Sequence, residues 1–382
     1  MTLCIAWKPR YSDPRVASTR IRCLNPLNEL QSLGYPVELF DRRRSDEYAA
    51  VVYSKLYDDA TYREAMALQR RGARIVLDLC DNHFYNPHGL RSLSKSRVQL
   101  TRMMALADEL VASTPALSEA MRAELPGAKN ITVIEDAVET AICGVPSSFW
   151  DHWREQRQLA KLVRALEQGK RNGRTPLVWF GIHGGPNADY GMLDLLKIRA
   201  LLEQMNRTWP LSLTVISNSK RKYDRSVKGW SLPTYYLNWR AETLFPALRL
   251  HTIAVIPISE NPFTRCKSNN RLALSLSQGL AVVADSIPSY RDFAEVCFLD
   301  EWRVGLERYL SDADLRRRHV ERGQALVASE WSIGRIAAKW RRFFDGLLQR
   351  RDFSGALSPT ERVAARDCQP DVKLRRTHAK LL

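Results

Sequence analysis

Lys267, Asn270 and Arg271 stand at spacing i, i+3, i+4 in the stretch IAVIPISENPFTRCKSNNRLALSLSQGLAVVA, residues 253 to 284. A helix opening near Ser268 puts all three on one face of its first turn. A helix N-terminus offers free N–H groups and a partial positive charge. With a lysine and an arginine added, the chemistry such a turn suits is phosphate binding. A solvated helix start with two ordinary cations is the plainer alternative. Position favours phosphate: the trio follows an apolar strand, Ile253 to Ile258, at the edge where open α/β sheets bind ligands. Gly279 and a second apolar strand, Leu280 to Ala284, come after it.

The elements that must position this turn form two α/β halves in succession. In the first half, apolar runs predict strands at Leu3 to Trp7, Val37 to Phe40, Ala49 to Tyr53, Arg74 to Leu79, Glu109 to Ser113 and Ile131 to Ile134. Runs of about five apolar residues suit parallel strands covered on both faces. Helices are expected over Ser18 to Leu33, Asp59 to Arg71, Leu90 to Ala107 and Pro115 to Glu124, the first stopped by Gly34. Residues 146–174 are highly charged and read as a helical connector. The second half has strands at Leu177 to Phe180, Leu213 to Ile216, Thr234 to Trp239, the two strands of the opening stretch, and Val296 to Leu299. Helices at Met192 to Met205, at Ala241 to Leu248 and over about 301 to 349 complete it. SNSKRKYDRS, after the 213–216 strand, reads as a polar loop. The expected domains are 1–145, the connector 146–174, 175–350, and a basic tail 351–382 of poor order.

With 382 residues two domains are favoured over one. No run approaches the roughly 18 to 20 apolar residues of a membrane span. The N-terminus has no basic segment ahead of its short apolar stretch, so no signal peptide is expected. Seven cysteines are scattered singly with no C-x-x-C, which suggests neither a disulfide framework nor a zinc site. A cytoplasmic location follows. No G-x-G-x-x-G follows the first strand, so the dinucleotide fingerprint is missing. The net charge of +16 calls for an anionic partner: nucleic acid, an acidic membrane surface or a phosphorylated ligand.

Two α/β halves with a phosphate-type turn in the second resemble the GT-B glycosyltransferases. Several stretches carry the likeness. ADELVASTPALSEAM (107–121) and ITVIEDAVE (131–139) look like the close of that family's first domain, with Asp136-Ala137 where an Asn-Gly turn is usual. LVWFGIHGG (177–185) looks like the first strand and loop of its nucleotide half. KSNNRLALSLSQGLAVVA (267–284) looks like its donor helix and Gly-x-Pro-Val strand, with Ala281 for Pro. ASTRIR (17–22), VVYSK (51–55) and VLDLCDN (76–82) resemble bacterial group 1/family 4 types. The usual pair of glutamates eight apart is replaced by Cys266 and Leu274, and the Gly-loop lacks its Arg and Lys.

The resemblance implies transfer of a sugar from a nucleotide-diphosphate sugar to an acceptor hydroxyl, with no metal or other cofactor. Lys267 and Arg271, beside Asn270, take the diphosphate charge. Gly181, His183 and Gly184 form a small-residue loop that lets backbone approach the donor; a plain strand–helix turn is the alternative. Trp239 offers a stacking face to the nucleobase, or packs in the interdomain wall. Lys220 lies in a basic segment that closes over the donor or stays solvated. On the acceptor side, Asp81 or His83, with Asp78 and Asn82 beside them, is the candidate general base for an inverting reaction; Asp78 alternatively caps a turn. Ser18, Thr19 and Arg20 bind an acidic acceptor or the donor phosphate, or simply cap the first helix. The basic helix 90–107 is a candidate for an anionic membrane on the inner face, bringing a lipid-linked acceptor. The acceptor is then an envelope polysaccharide or glycolipid. A modified base in DNA is the alternative acceptor, and a non-catalytic nucleic-acid-binding protein the alternative class, although no recognised DNA- or RNA-binding signature is present.

Overall fold

The computed structural model describes residues 4–127, 131–142, 149–184 and 190–354. The expected tail 351–382 lies outside them beyond Ser354. Two six-stranded sheets organise the chain. The first runs β2-β1-β3-β4-β5-β6, from β1 (Cys4–Pro9), β2 (Val37–Leu39), β3 (Tyr48–Ser54), β4 (Arg74–Leu79), β5 (Glu109–Ala112) and β6 (Ile131–Val133). The second runs β12-β11-β10-β7-β8-β9, from β7 (Thr175–Phe180), β8 (Leu211–Ser217), β9 (Thr234–Asn238), β10 (Ile253–Ile256), β11 (Ala281–Ala284) and β12 (Phe298–Leu299). Every pairing is parallel. Helices on both faces bury these strands, and β3 and β8 are buried along their whole length. One apolar core lies under the first sheet, and two lie on the opposite faces of the second.

The strand orders fix where ligands can sit. In the first sheet the order reverses between β1 and β3, and in the second between β7 and β10. Open α/β sheets bind ligands beyond the carboxyl ends of strands at such reversals. Arg10 and Lys55 leave β1 and β3 there; Gly181 leaves β7. Both sheets lie in one compact unit that runs to Trp340, and the described residues from Arg341 on belong to a second.

The first helix departs from expectation. It opens at Ala17 behind Val16 with no side-chain cap, passes through a π-helical turn, Arg20–Leu24, and continues as Asn25–Ser32. Ser18 and Thr19 therefore cap nothing; the Thr19 hydroxyl donates to the Tyr11 carbonyl at 3.0 Å. The polar segment after β8 is also more ordered than a loop. It holds a helix, Lys220–Ser226, whose N-cap Ser219 accepts from the Lys222 N–H. The connector is the helix Phe149–Arg171.

Candidate active site

Beyond β4 the chain turns through Asp81 and His83 toward the carboxyl ends of β1 and β3. The Asp81 carboxylate takes Lys55 on one oxygen and Lys267, from the second half, on the other. Burial alone would push its pKa up, but Lys267 and Lys55 outweigh burial and hold it well below the usual carboxylate range. His83 lies beside it, with Nε2 4.0 Å from Asp81. Burial, then the Lys55 charge, pushes the imidazole down to about 4, so the ring is neutral at pH 7. Burial raises the Tyr57 phenol, with Arg10 bonded to it as a weaker opposing influence. The Tyr57 hydroxyl and His83 Nδ1 share a hydrogen bond at 2.9 Å. As folded, neither member of the expected pair is a strong base.

Lys55 is one of two non-glycine residues with positive φ among the described residues, at φ 59. Such a conformation costs on the order of 1–3 kcal/mol and persists where the surroundings enforce it. Here its N–H donates to the Asp78 carbonyl at 2.9 Å and its ammonium meets Asp81.

In the second half the helix carrying the phosphate trio is Asn270–Ser277, so the single-face arrangement is corrected. Lys267 precedes the helix in extended backbone, its ammonium 4.2 Å from the Phe263 ring centroid and turned to Asp81. Asn270 opens the helix and donates to Asp136 at 2.7 Å. Arg271 alone faces the β7 end: its guanidinium lies 6.0 Å from the Trp179 ring centroid, and a methyl placed on Gly181 would come within 3.6 Å of its Nη1. Arg271 bonds the Tyr290 hydroxyl and has no carboxylate partner among the described residues. The loop after Gly181 holds the His183 N–H on Asn218 (3.1 Å) and its carbonyl on Lys222 (2.8 Å). It closes where Gly191, at φ +92, passes so near Gly184 that a Cβ would sit 2.8 Å from its nitrogen; only glycine fits. Residue 185 of the expected loop lies outside the described residues.

Lys220 pairs with Asp224 at 2.7 Å and lines a cavity of about 430 Å³ with Tyr236, Asn238, Arg154 and the Arg240–Glu155 pair. Trp239 stands beside Arg20, 5.5 Å from ring centroid to guanidinium. Arg20 itself is buried in a two-pronged ion pair with Glu139 at 2.8 and 3.0 Å. Asp78 caps no turn: fully buried, it pairs with Arg22 and accepts from Ser54 at 2.8 Å. Arg22 also pairs with Asp136 at 3.1 Å. Sequence reasoning did not single out Arg10, Tyr57 or Arg22, nor Lys55 as a site residue; the available signal was their place just after strands or two residues from Arg20.

Among the described residues no group of three or more His, Cys, Asp or Glu is placed to hold a metal, and no helix is long and apolar enough to cross a membrane. The basic helix is Arg91–Leu106, where Arg97 pairs with Glu124 and Arg102 with Asp59.

No protein-family profile matches the chain, and no curated protein matches it. Solved structures do. Anabaena HepE in complex with UDP superposes with TM-score 0.62 at 13% identity, over 90% of this chain and 100% of that one. Sucrose-phosphate synthase from Thermosynechococcus elongatus gives TM-score 0.65 at 12% identity, over 91% and 100%. The E. coli trehalose-6-phosphate structure bound with UDP-2-fluoro glucose gives 0.51 at 14%, over 85% and 77%. At these identities the likeness establishes the fold, which is GT-B.

Proposed function

We propose that the chain transfers a sugar from a nucleoside-diphosphate sugar to an acceptor hydroxyl. The observation that carries this is Arg271: a cation without a carboxylate partner among the described residues, on the first turn of its helix, beside Gly181 at the strand reversal of the second sheet. A departing diphosphate needs its growing charge met by fixed donors. Arg271 can fork onto two of its oxygens, and the helix N-terminus adds its partial charge. Structures of the same fold that hold UDP or a UDP-sugar support a uridine donor. The cavity edged by Lys220, Tyr236 and Asn238 is the candidate for the nucleobase end.

Lys267 links donor to acceptor chemistry. When its ammonium turns to the diphosphate, Asp81 loses one of two cations and regains basicity, so it can accept the acceptor proton. We place the acceptor among envelope saccharides or lipid-linked sugars, in keeping with the net charge of +16.

The test is calorimetric titration with UDP, GDP, ADP, CMP and dTDP. UDP is expected to bind, and Arg271→Ala to weaken it about 10- to 100-fold, from the 1.5–3 kcal/mol of a hydrogen bond to a charged group. Absence of binding by every nucleotide, or unchanged affinity in the variant, overturns the assignment.

A further inference from the structure

We infer that the strand reversal of the first sheet is an acceptor subsite selective for a sugar carrying a negative group, phosphate or carboxylate, read by Arg10 and Lys55. The inference rests on the transferase reading and adds the acceptor's charge to it.

The position comes from topology. Arg10 and Lys55 follow adjacent strands β1 and β3 at the reversal, and the Arg10 N–H donates to the Ser54 carbonyl at 3.0 Å, locking the two strand ends together. The charge is unbalanced. Arg10, Lys55 and Lys267 bring three cations to this end, and among the described residues Asp81 is the one carboxylate that pairs with any of them, with His83 neutral. The next carboxylate inward, Asp78, is fully buried behind Ser54 and already paired with Arg22. Arg10 is exposed and has no carboxylate partner among the described residues. Its guanidinium sits 5.5 Å from the Tyr11 ring centroid and 5.9 Å from that of Tyr57. Tyr11 is 48% exposed. A half-open wall of aromatic rings beside an uncompensated guanidinium suits a sugar face and an anionic substituent together.

The strained Lys55 points the same way. Left-handed backbone at a non-glycine residue persists where its surroundings hold it, and such residues cluster at functional sites. The Lys55 ammonium meets Asp81; its other two hydrogens remain for a ligand oxygen. A neutral sugar would leave the cations at this edge in excess. The donor diphosphate does not account for Arg10, since Arg271 serves it from the second sheet.

The experiment uses the full chain saturated with UDP, so that the donor phosphate site is filled. It is then titrated by calorimetry with glucose 6-phosphate, glucuronate and glucose. The two anionic sugars are expected to bind at least about ten-fold more tightly than glucose. Arg10→Gln is expected to remove that preference while leaving UDP affinity within two-fold, and far-UV circular dichroism checks its fold. Equal binding of glucose, no binding by any of the three, or an unchanged preference in Arg10→Gln overturns the subsite. Failure of UDP itself to bind is separate: it removes the transferase reading, and the subsite with it.

Discussion

His83 reports the electrostatics of the site, and acid is the perturbation that reads it. Its native pKa is pushed down to about 4 by burial and then by Lys55, against an ordinary value near 6.5 in the unfolded chain. Between those values the unfolded chain binds a proton that the folded chain refuses. Acidification through this window therefore draws the chain toward the unfolded state: the stability is present above about 6.5 and lost as pH falls to about 4. Proton linkage with these values gives a loss of about 2 kcal/mol between pH 7 and pH 5. His251, also pushed to about 4 by burial, adds a similar amount from inside the second half. Its Nδ1 donates to the Ala247 carbonyl at 2.8 Å and its Nε2 accepts from Thr214 at 2.7 Å. Urea unfolding at pH 7, 6 and 5 should show a combined fall of about 4 kcal/mol, and His83→Gln or His251→Gln should each remove about half of it. Histidine NMR then separates burial from charge. Lys55→Met removes a neighbouring cation and leaves Asp81 less compensated, so His83 should titrate higher than in wild type. A native His83 titrating near 6.5, or one unmoved by Lys55→Met, refutes the account of a cation-rich edge.

Arg22→Met should cost about 3–5 kcal/mol in urea unfolding, because it leaves the buried carboxylates Asp78 and Asp136 without their cation. Loss below about 1 kcal/mol would mean that water or the Asn270 amide already compensates Asp136. Gly305→Ala should cost about 1–3 kcal/mol by overpacking, since its methyl would sit 2.6 Å from Phe298 Cβ with no flexible side-chain end to give way. An unchanged unfolding midpoint would contradict that packing.

The strands were legible because parallel strands covered on both faces must be apolar along their length, as in AAVVY of β3 and IAVI of β10. The helix Lys220–Ser226 escaped notice because five of its seven residues are charged, and only its capping Ser219 marks it. The trio was misplaced for a related reason. Spacing puts residues on one face only once a helix has begun, and Thr264–Cys266 form a short 3₁₀ turn that holds Lys267 outside the helix. Cys266, at a position where the resembling family carries a glutamate, is buried against the first half, its thiol 3.6 Å from the Ala116 carbonyl. Strand order is what sequence conceals most. Nothing in KPRYS or YSKLY says that β1 and β3 are neighbours, so Arg10 and Lys55 read as two loop cations rather than one edge.

ASTRIR shows why cation identity alone does not locate a ligand. Arg20 and Arg22, two residues apart, both turn inward: one onto Glu139, the other onto Asp78 and Asp136. A buried arginine matched by carboxylates has little charge left for a ligand, and its net contribution to stability is small so long as the match is kept. These pairs bind segments distant in sequence, and through Asp136 and Asn270 they tie the first half to the helix that carries Arg271. The opposite holds for four other cations: Lys55 and Lys267 share the one carboxylate of Asp81, and Arg10 and Arg271 have no carboxylate partner among the described residues. Among the described residues, carboxylates do not absorb their surplus. An anion would balance it, and the two strand reversals match the two places proposed for one: a diphosphate by Arg271 and an anionic acceptor by Arg10. Lys267 of the second half pairs with Asp81 of the first, so on the proposed reading a donor that drew Lys267 away would change the charge presented to the acceptor side.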